Sequence, residues 1–312
     1  MNKVHLTILS IGLLFLMACK EKPRDEKMVS VTIEPQRYFA EKIAGNKYKI
    51  NTVVPAGQSP ETYDPTPLQM IQIGESDAYL QIGYIGFEQA WMKKIKENNP
   101  ALLVFNLSEG MNLLKNPEKD EDRPHDAEEV AQPTSEAPHV HAEGHHHHPG
   151  GIDPHTWNSI SGARTIAKNT LRAFVSLDKE NEAYYQANYE KLTQEIDQTE
   201  QIIQKLLTPL ENRAFIIYHP ALTYFAHEFD LTQLCIETDG KEPSPAQLKK
   251  LVETADTAGA RVVFVQQEFD QKNAELIAKE TGCTLVVINP LDVNWKKEMI
   301  HIAKSLADGK TN

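Results

Sequence analysis

The chain has 312 residues, 40% of them hydrophobic and 24% charged, enough apolar material for two modest cores. Those fractions, with only 3 cysteines, exclude a wholly disordered chain, a collagen and a disulfide-stapled miniprotein. The formal net charge of −12, from 32 basic and 44 acidic residues, argues against nucleic acid as partner, because phosphate binding needs a basic surface.

The chain opens on an address. Lys3 supplies a positive start, and 7–17 is an apolar run of 11 residues, too short to cross a bilayer as a helix but of signal-peptide length. The run ends in Leu16-Met17-Ala18-Cys19, which resembles the lipobox of bacterial lipoproteins. That resemblance implies that 1–18 is a signal peptide removed before Cys19, whose thiol is acylated, and that 19–28 is a charged tether. No other segment is a membrane-span candidate, so the expectation is a soluble domain held by a lipid anchor at the periplasmic or cell-surface face of a bacterial membrane. Export leaves Cys235 and Cys283 in a non-reducing compartment; whether they pair stays open, since sequence does not give their separation.

Short apolar and β-branched runs at 29–34, 48–55, 78–82 and 102–107 predict strands, with helical segments between them. One helix starts at Thr66-Pro67, an N-cap followed by proline at the first helical position. This alternation predicts a parallel sheet covered by helices, an N-terminal lobe over 29–178. Within it, 109–151 loses all periodicity. It carries nine acidic residues between 118 and 143, five prolines and seven of the chain's 12 histidines (His125, His139, His141, His145, His146, His147, His148). Such a stretch buries little apolar surface and is expected to be a mobile loop.

A helix near 160–175 precedes a longer one near 180–207, in which Tyr185, Tyr189, Leu192, Ile196, Ile203, Leu206 and Leu210 form one apolar stripe. At 1.5 Å per residue this linking helix, within 179–208, spans about 42 Å. A second alternating unit over 209–312 has strands at 214–218, 231–236, 262–265 and 285–288. Ser244-Pro245-Ala246-Gln247 opens a helix with a capping box, and Gly282 closes the next. The fold class is therefore α/β: two βα lobes, each with a parallel four-stranded sheet, joined by a long helix.

Ligands of open α/β sheets gather beyond the carboxyl ends of the strands. At those ends stand Glu61, in the segment after the second strand, and His155 in Asp153-Pro154-His155-Thr156-Trp157. In the second lobe they are joined by His219 in Tyr218-His219-Pro220 and Asn289 in Asn289-Pro290. Two lobes would present them to one cleft.

Here the chain resembles the solute-binding lipoprotein of a bacterial zinc ABC importer, in the metal-specific cluster joined by a rigid backbone helix. The resemblance covers 29–307. It rests on the Pro-x-Gly-x-x-Pro-x-Thr-Tyr-x-Pro-Thr-Pro block at 55–67, Asp153-Pro154-His155-x-Trp157, Tyr218-His219-Pro220, Glu242-Pro243-Ser244-Pro245 and the region of Glu280-Thr281-Gly282. It implies His155 and His219 as metal ligands without adjustment. Two positions depart from the family: Glu61 stands where His is usual, and Asn289 where Asp is usual. Zinc accepts carboxylate oxygen and prefers four ligands, so Glu61, His155 and His219 suffice for a site, with Asn289 or a water in the fourth position.

Each residue also has a bland reading: an exposed carboxylate for Glu61, structural hydrogen bonding for His155 and His219, a turn for Asn289. Glu268, near the end of the seventh strand, is a further carboxylate in the right region. Trp157, Tyr63 and Tyr84 are expected as walls or core, and His227 and His301 as peripheral. The histidine-rich loop, including His139, His141, His145, His146, His147 and His148, reads as a low-affinity metal-collecting tract.

The resemblance implies a monomeric, non-enzymatic protein that captures zinc as transported ligand and hands it to an ABC permease and its ATPase. A manganese or iron importer is the alternative, because a carboxylate is a harder donor. An exported zinc hydrolase is a further one, since His₂Glu with an open position also serves catalysis. That reading lacks a His-Glu-x-x-His motif and needs Glu268 to reach the cleft.

Overall fold

A computed structural model describes residues 26–115, 151–237 and 243–309. The expected leader, Cys19 and the six histidines of the expected collecting tract lie outside the described residues.

The N-terminal lobe runs β1 (Met28–Val31), α1 (Glu34–Ala44), β2 (Lys49–Thr52), α2 (Pro67–Gly74), β3 (Ala78–Gln81), α3 (Gly86–Asn98), β4 (Leu103–Asn106). Its strands are all parallel in the order β2-β1-β3-β4. Next come α4 (Ile160–Leu177), a 3₁₀ turn (Lys179–Asn181) and α5 (Glu182–Leu207). The second lobe is β5 (Ala214–Ile217), α6 (Thr223–Glu228), β6 (Thr232–Cys235), α7 (Pro245–Ala258), β7 (Val262–Gln266), α8 (Lys272–Thr281), β8 (Thr284–Ile288) and α9 (Trp295–Asp308). Its parallel order, β6-β5-β7-β8, repeats that of the first lobe. The α/β architecture with two four-stranded parallel sheets is as expected.

Local chemistry explains the boundaries. The expected strand at 29–34 stops at Val31 because Gln36 turns the chain, its Oε1 accepting from the backbone N–H of Thr32 (2.9 Å) and Ile33 (3.0 Å). Capping boxes open α2 and α7: Thr66 Oγ1 accepts from Gln69 N–H, Ser244 Oγ from Gln247 N–H, and Pro67 and Pro245 take the first helical positions. Central strands are buried on both faces, as parallel sheets require. In β5, Phe215 and Ile217 enter the main core while Ala214 and Ile216 face a smaller core under α7 and α8.

The main core crosses from lobe to lobe. Helix α5 has 26 residues, about 39 Å, and buries Tyr185, Leu192, Ile196, Thr199, Ile203 and Leu207 along one stripe. That stripe packs against α1 and α4 on one side and α9 on the other. Trp295 of α9 lies against Phe39 of α1 at 5.4 Å between ring centroids. Its Nε1–H donates to the Trp157 carbonyl (2.7 Å), and Trp157 Nε1–H donates to the Pro290 carbonyl (2.9 Å).

The two cysteines cannot pair with each other. Cys235 ends β6 and Cys283 precedes β8, at opposite edges of the sheet. Three strand spacings separate them, about 14 Å, twice the Cα separation a disulfide tolerates.

Candidate metal-binding site

The loop after β2 brings Glu61 to the start of α3. Ile85, the N-cap of that helix, supplies no side-chain cap, and the Glu61 carboxylate takes its place: Gly86 N–H donates to Oε2 at 2.9 Å, while Phe87 N–H donates to the Pro60 carbonyl at 2.9 Å. An anion there meets the positive end of the helix dipole. Gly86 is required for this approach, because a Cβ on it would stand 2.4 Å from the Glu61 carbonyl oxygen. Beneath, the buried Glu88 carboxyl accepts from Ile82 and Gly83 N–H and from Thr32 Oγ1. Burial pushes its pKa up to about 7 against those bonds.

His155 is set by its own motif. Asp153 Oδ1 accepts from both the His155 backbone N–H (2.8 Å) and ring Nδ1 (2.9 Å). Burial pushes Asp153 up, but the contacts with His155 outweigh it and hold the carboxyl below its usual range. His219 follows β5 and is treated in the same way from a distance. Glu237, just past β6, meets its Nδ1 at 3.2 Å, and Gln266 at the end of β7 holds its backbone through both amide atoms. Phe269 stacks on the ring at 5.3 Å and 23°. Burial disfavours the charged imidazole, yet Glu237, helped by Glu61 and Asp153, raises the His219 pKa.

A carboxylate on Nδ1 fixes that nitrogen as the proton-bearing one and leaves Nε2 with a lone pair for a cation. Both imidazoles are prepared in this way, and their centroids lie 5.2 Å apart at 72°. They share a small cavity, with room for about 20 Å³, with Glu61, Trp157, Glu268 and Phe269. The donors do not yet converge: among the described residues no group of three or more His, Cys, Asp or Glu side chains is ready to hold a metal ion.

Three of the four expected ligands, Glu61, His155 and His219, are thus brought to one cavity. Asn289 is not part of its lining; its Oδ1 accepts from Leu291 N–H at 3.2 Å and closes the turn after β8. Glu268 reaches the cavity instead. Trp157 is a wall, as expected, but Tyr63 hydrogen-bonds Gln69 of α2 (2.8 Å), and neither it nor Tyr84 lines the site. His227 is exposed, and His301 Nε2 lies 3.3 Å from the Val287 carbonyl oxygen; both are peripheral. Sequence reasoning missed Glu237, Gln266 and Phe269 and gave Asp153 no role. Only Asp153, two residues from its histidine, carried a local signal.

The sequence family described as zinc-uptake complex component A, periplasmic (ZnuA) matches residues 29–309. The chain belongs to this family. Among ZnuA-type relatives, the high-affinity zinc uptake system protein ZnuA of Bacillus subtilis (strain 168) is 25% identical over 278 residues, covering 88% of this chain and 81% of its own length. The zinc-binding lipoprotein AdcA of Streptococcus pneumoniae (strain R6) is 24% identical over 301 residues, 94% of this chain. This chain spans 56% of AdcA, about half its length. A crystal structure of ZnuA superposes with a TM-score of 0.77 at 30% identity, covering 91% of this chain and 99% of that one. A zinc-bound ZnuA lacking residues 138–173 of its own sequence gives 0.78 at 30% identity, covering 92% and 99%.

Proposed function

We propose that this ZnuA-family chain captures zinc outside the cytoplasmic membrane, anchored by lipid on Cys19, and as a monomer delivers it to an ABC permease powered by its ATPase. Zinc is cargo, and no chemistry is done on it. One observation carries the reading: two imidazoles, each with Nδ1 committed to a carboxylate, face one cavity that also holds Glu61. Two nitrogen donors with carboxylate oxygen suit zinc in a tetrahedral shell and favour it over manganese, which prefers oxygen. Glu268 does line the cavity, as the hydrolase reading required, but an uptake component needs no base, and family membership favours transport.

Metal analysis of the mature protein, followed by competition with a chromophoric chelator, tests the site. Wild type retains zinc; His219→Ala and Glu61→Ala lose affinity. Retention of wild-type affinity by both variants refutes the assignment.

A further inference from the structure

The turn that follows β7 presents a carboxylate for which the fold itself has no use. Phe269 N–H donates to the Gln266 carbonyl at 3.2 Å, a tight turn that carries Glu268 at its third position. The two residues around it are already committed to His219: Gln266 grips its backbone, and Phe269 stacks on its ring. Glu268 is directed into the same cavity, and its Oε2 is buried with no hydrogen-bond partner among the described residues. A buried carboxylate oxygen without a donor is costly, and among the described residues no Lys or Arg lines this cavity to offset it. The groups facing it are His219 and His155, the two rings whose Nε2 atoms are left open.

Strand order supports the same conclusion. In the order β6-β5-β7-β8, His219 at the end of β5 is flanked by Glu237 after β6 and Glu268 after β7, each one strand spacing away, about 4.8 Å. Glu237 takes Nδ1; Glu268 lies on the opposite flank. Asn289, after β8, is two spacings from β5, and its side-chain oxygen is bonded within its own turn.

We infer that Glu268 is the fourth ligand of the transported cation, completing a His₂Glu₂ set with Glu61, His155 and His219. The inference rests on the proposed zinc site and adds to it. Two carboxylate ligands balance the charge of a divalent ion within its own ligand shell. Because the four donors do not converge beforehand, the cation itself draws the Glu61 and Glu268 carboxylates inward, onto the imidazoles that their partners already hold.

The test compares full mature protein carrying Glu268→Gln, Asn289→Ser or His219→Ala. Zinc dissociation constants come from chelator competition, and thermal melts are run with and without zinc. Glu268→Gln keeps size and polarity but removes the charge; zinc affinity is expected to fall at least tenfold or so. Its metal-free melting temperature equals or exceeds that of wild type, since the charge behind a buried, unpartnered carboxylate oxygen has been removed. Asn289→Ser, which keeps a turn acceptor, binds as wild type. Glu268→Gln affinity within about twofold of wild type while His219→Ala loses zinc overturns this inference and leaves the site standing. A lowered metal-free melting temperature in Glu268→Gln assigns Glu268 a structural role and also overturns it. Undiminished zinc affinity in His219→Ala and Glu61→Ala refutes the underlying site instead.

Discussion

The contact between His219 and Glu237 separates two effects that a simple ligand deletion would merge. Glu237→Gln preserves a side-chain oxygen that accepts from Nδ1–H but removes the negative charge 3.2 Å from the ring. Outer-sphere carboxylates of this kind are worth about 10–100-fold in metal affinity, or about 1.4–2.7 kcal/mol at 1.36 kcal/mol per decade. The contact is largely shielded, with 16% and 10% of the two side chains exposed, so solvent screens little of that. At a pH well above the raised pKa of the imidazole, the variant should bind zinc about tenfold or more weakly. On the acid side the effect runs the other way. Glu237 raises the His219 pKa despite burial, so in wild type a proton competes with the metal up to a higher pH. Losing the charge lowers that pKa, and the acid release of zinc moves to lower pH. Chelator competition from pH 5.5 to 8.5 therefore gives two curves that approach one another as pH falls. Parallel curves, offset equally at every pH, would refute the proposed coupling.

The same pair makes a stability prediction in metal-free protein. A folded pKa raised above the usual imidazole value of about 6.5 contributes stability that is fully present below that value and is lost as pH rises through the folded pKa. The melting-temperature gap between wild type and Glu237→Gln is then larger at pH 6 than at pH 8.5; an equal gap contradicts it. Gly86→Ala places a methyl carbon 2.4 Å from the Glu61 carbonyl oxygen and 2.8 Å from its Oε2, so zinc affinity should fall about tenfold with circular dichroism unchanged. Trp157→Phe strips the Pro290 carbonyl of its donor and is expected to cost about 1–3 kcal/mol for the orphaned group, read from urea unfolding. Deleting 118–148 should leave cleft affinity unaltered and lower total bound zinc, because the segment's base is closed independently by the Lys115–Ile152 bridge and by Asp153 N–H to the Leu114 carbonyl; equal stoichiometry removes the collecting role.

The parts of this molecule legible in its sequence are those fixed by neighbours in the chain. Eight strands are announced by β-branched runs such as Val262-Val263-Phe264-Val265, and α2 and α7 by Thr66-Pro67 and Ser244-Pro245. His155 and His219 stand out because proline adjoins each at a strand end or loop. What sequence hides is strand order. Glu237 is 18 residues from His219 and becomes its partner only because β6 pairs with β5, a ladder continued by Glu237 N–H to the Tyr218 carbonyl. Asn289 also stands at a strand end, but it is β7 and not β8 that lies beside β5.

How the donors come together follows from the core. One hydrophobic cluster includes Phe39 and Tyr79 of the first lobe, Ile196 of α5, and Phe264 and Trp295 of the second. A wide hinge motion would expose part of it, at about 25 cal/mol per Å² of apolar surface, and would break the Trp157–Pro290 and Trp295–Trp157 hydrogen bonds. Packed interiors do not deform continuously. The adaptable parts are the exposed loop of 55–59 before Glu61 and the turn at Glu268, whereas His155 and His219 are pinned by Asp153, Glu237 and Gln266. Zinc loading should therefore leave the lobe arrangement unchanged and reduce amide hydrogen exchange chiefly at 55–61 and 267–269. Protection spread along α5 or the Trp295 helix on zinc binding would instead require the lobes to move as bodies.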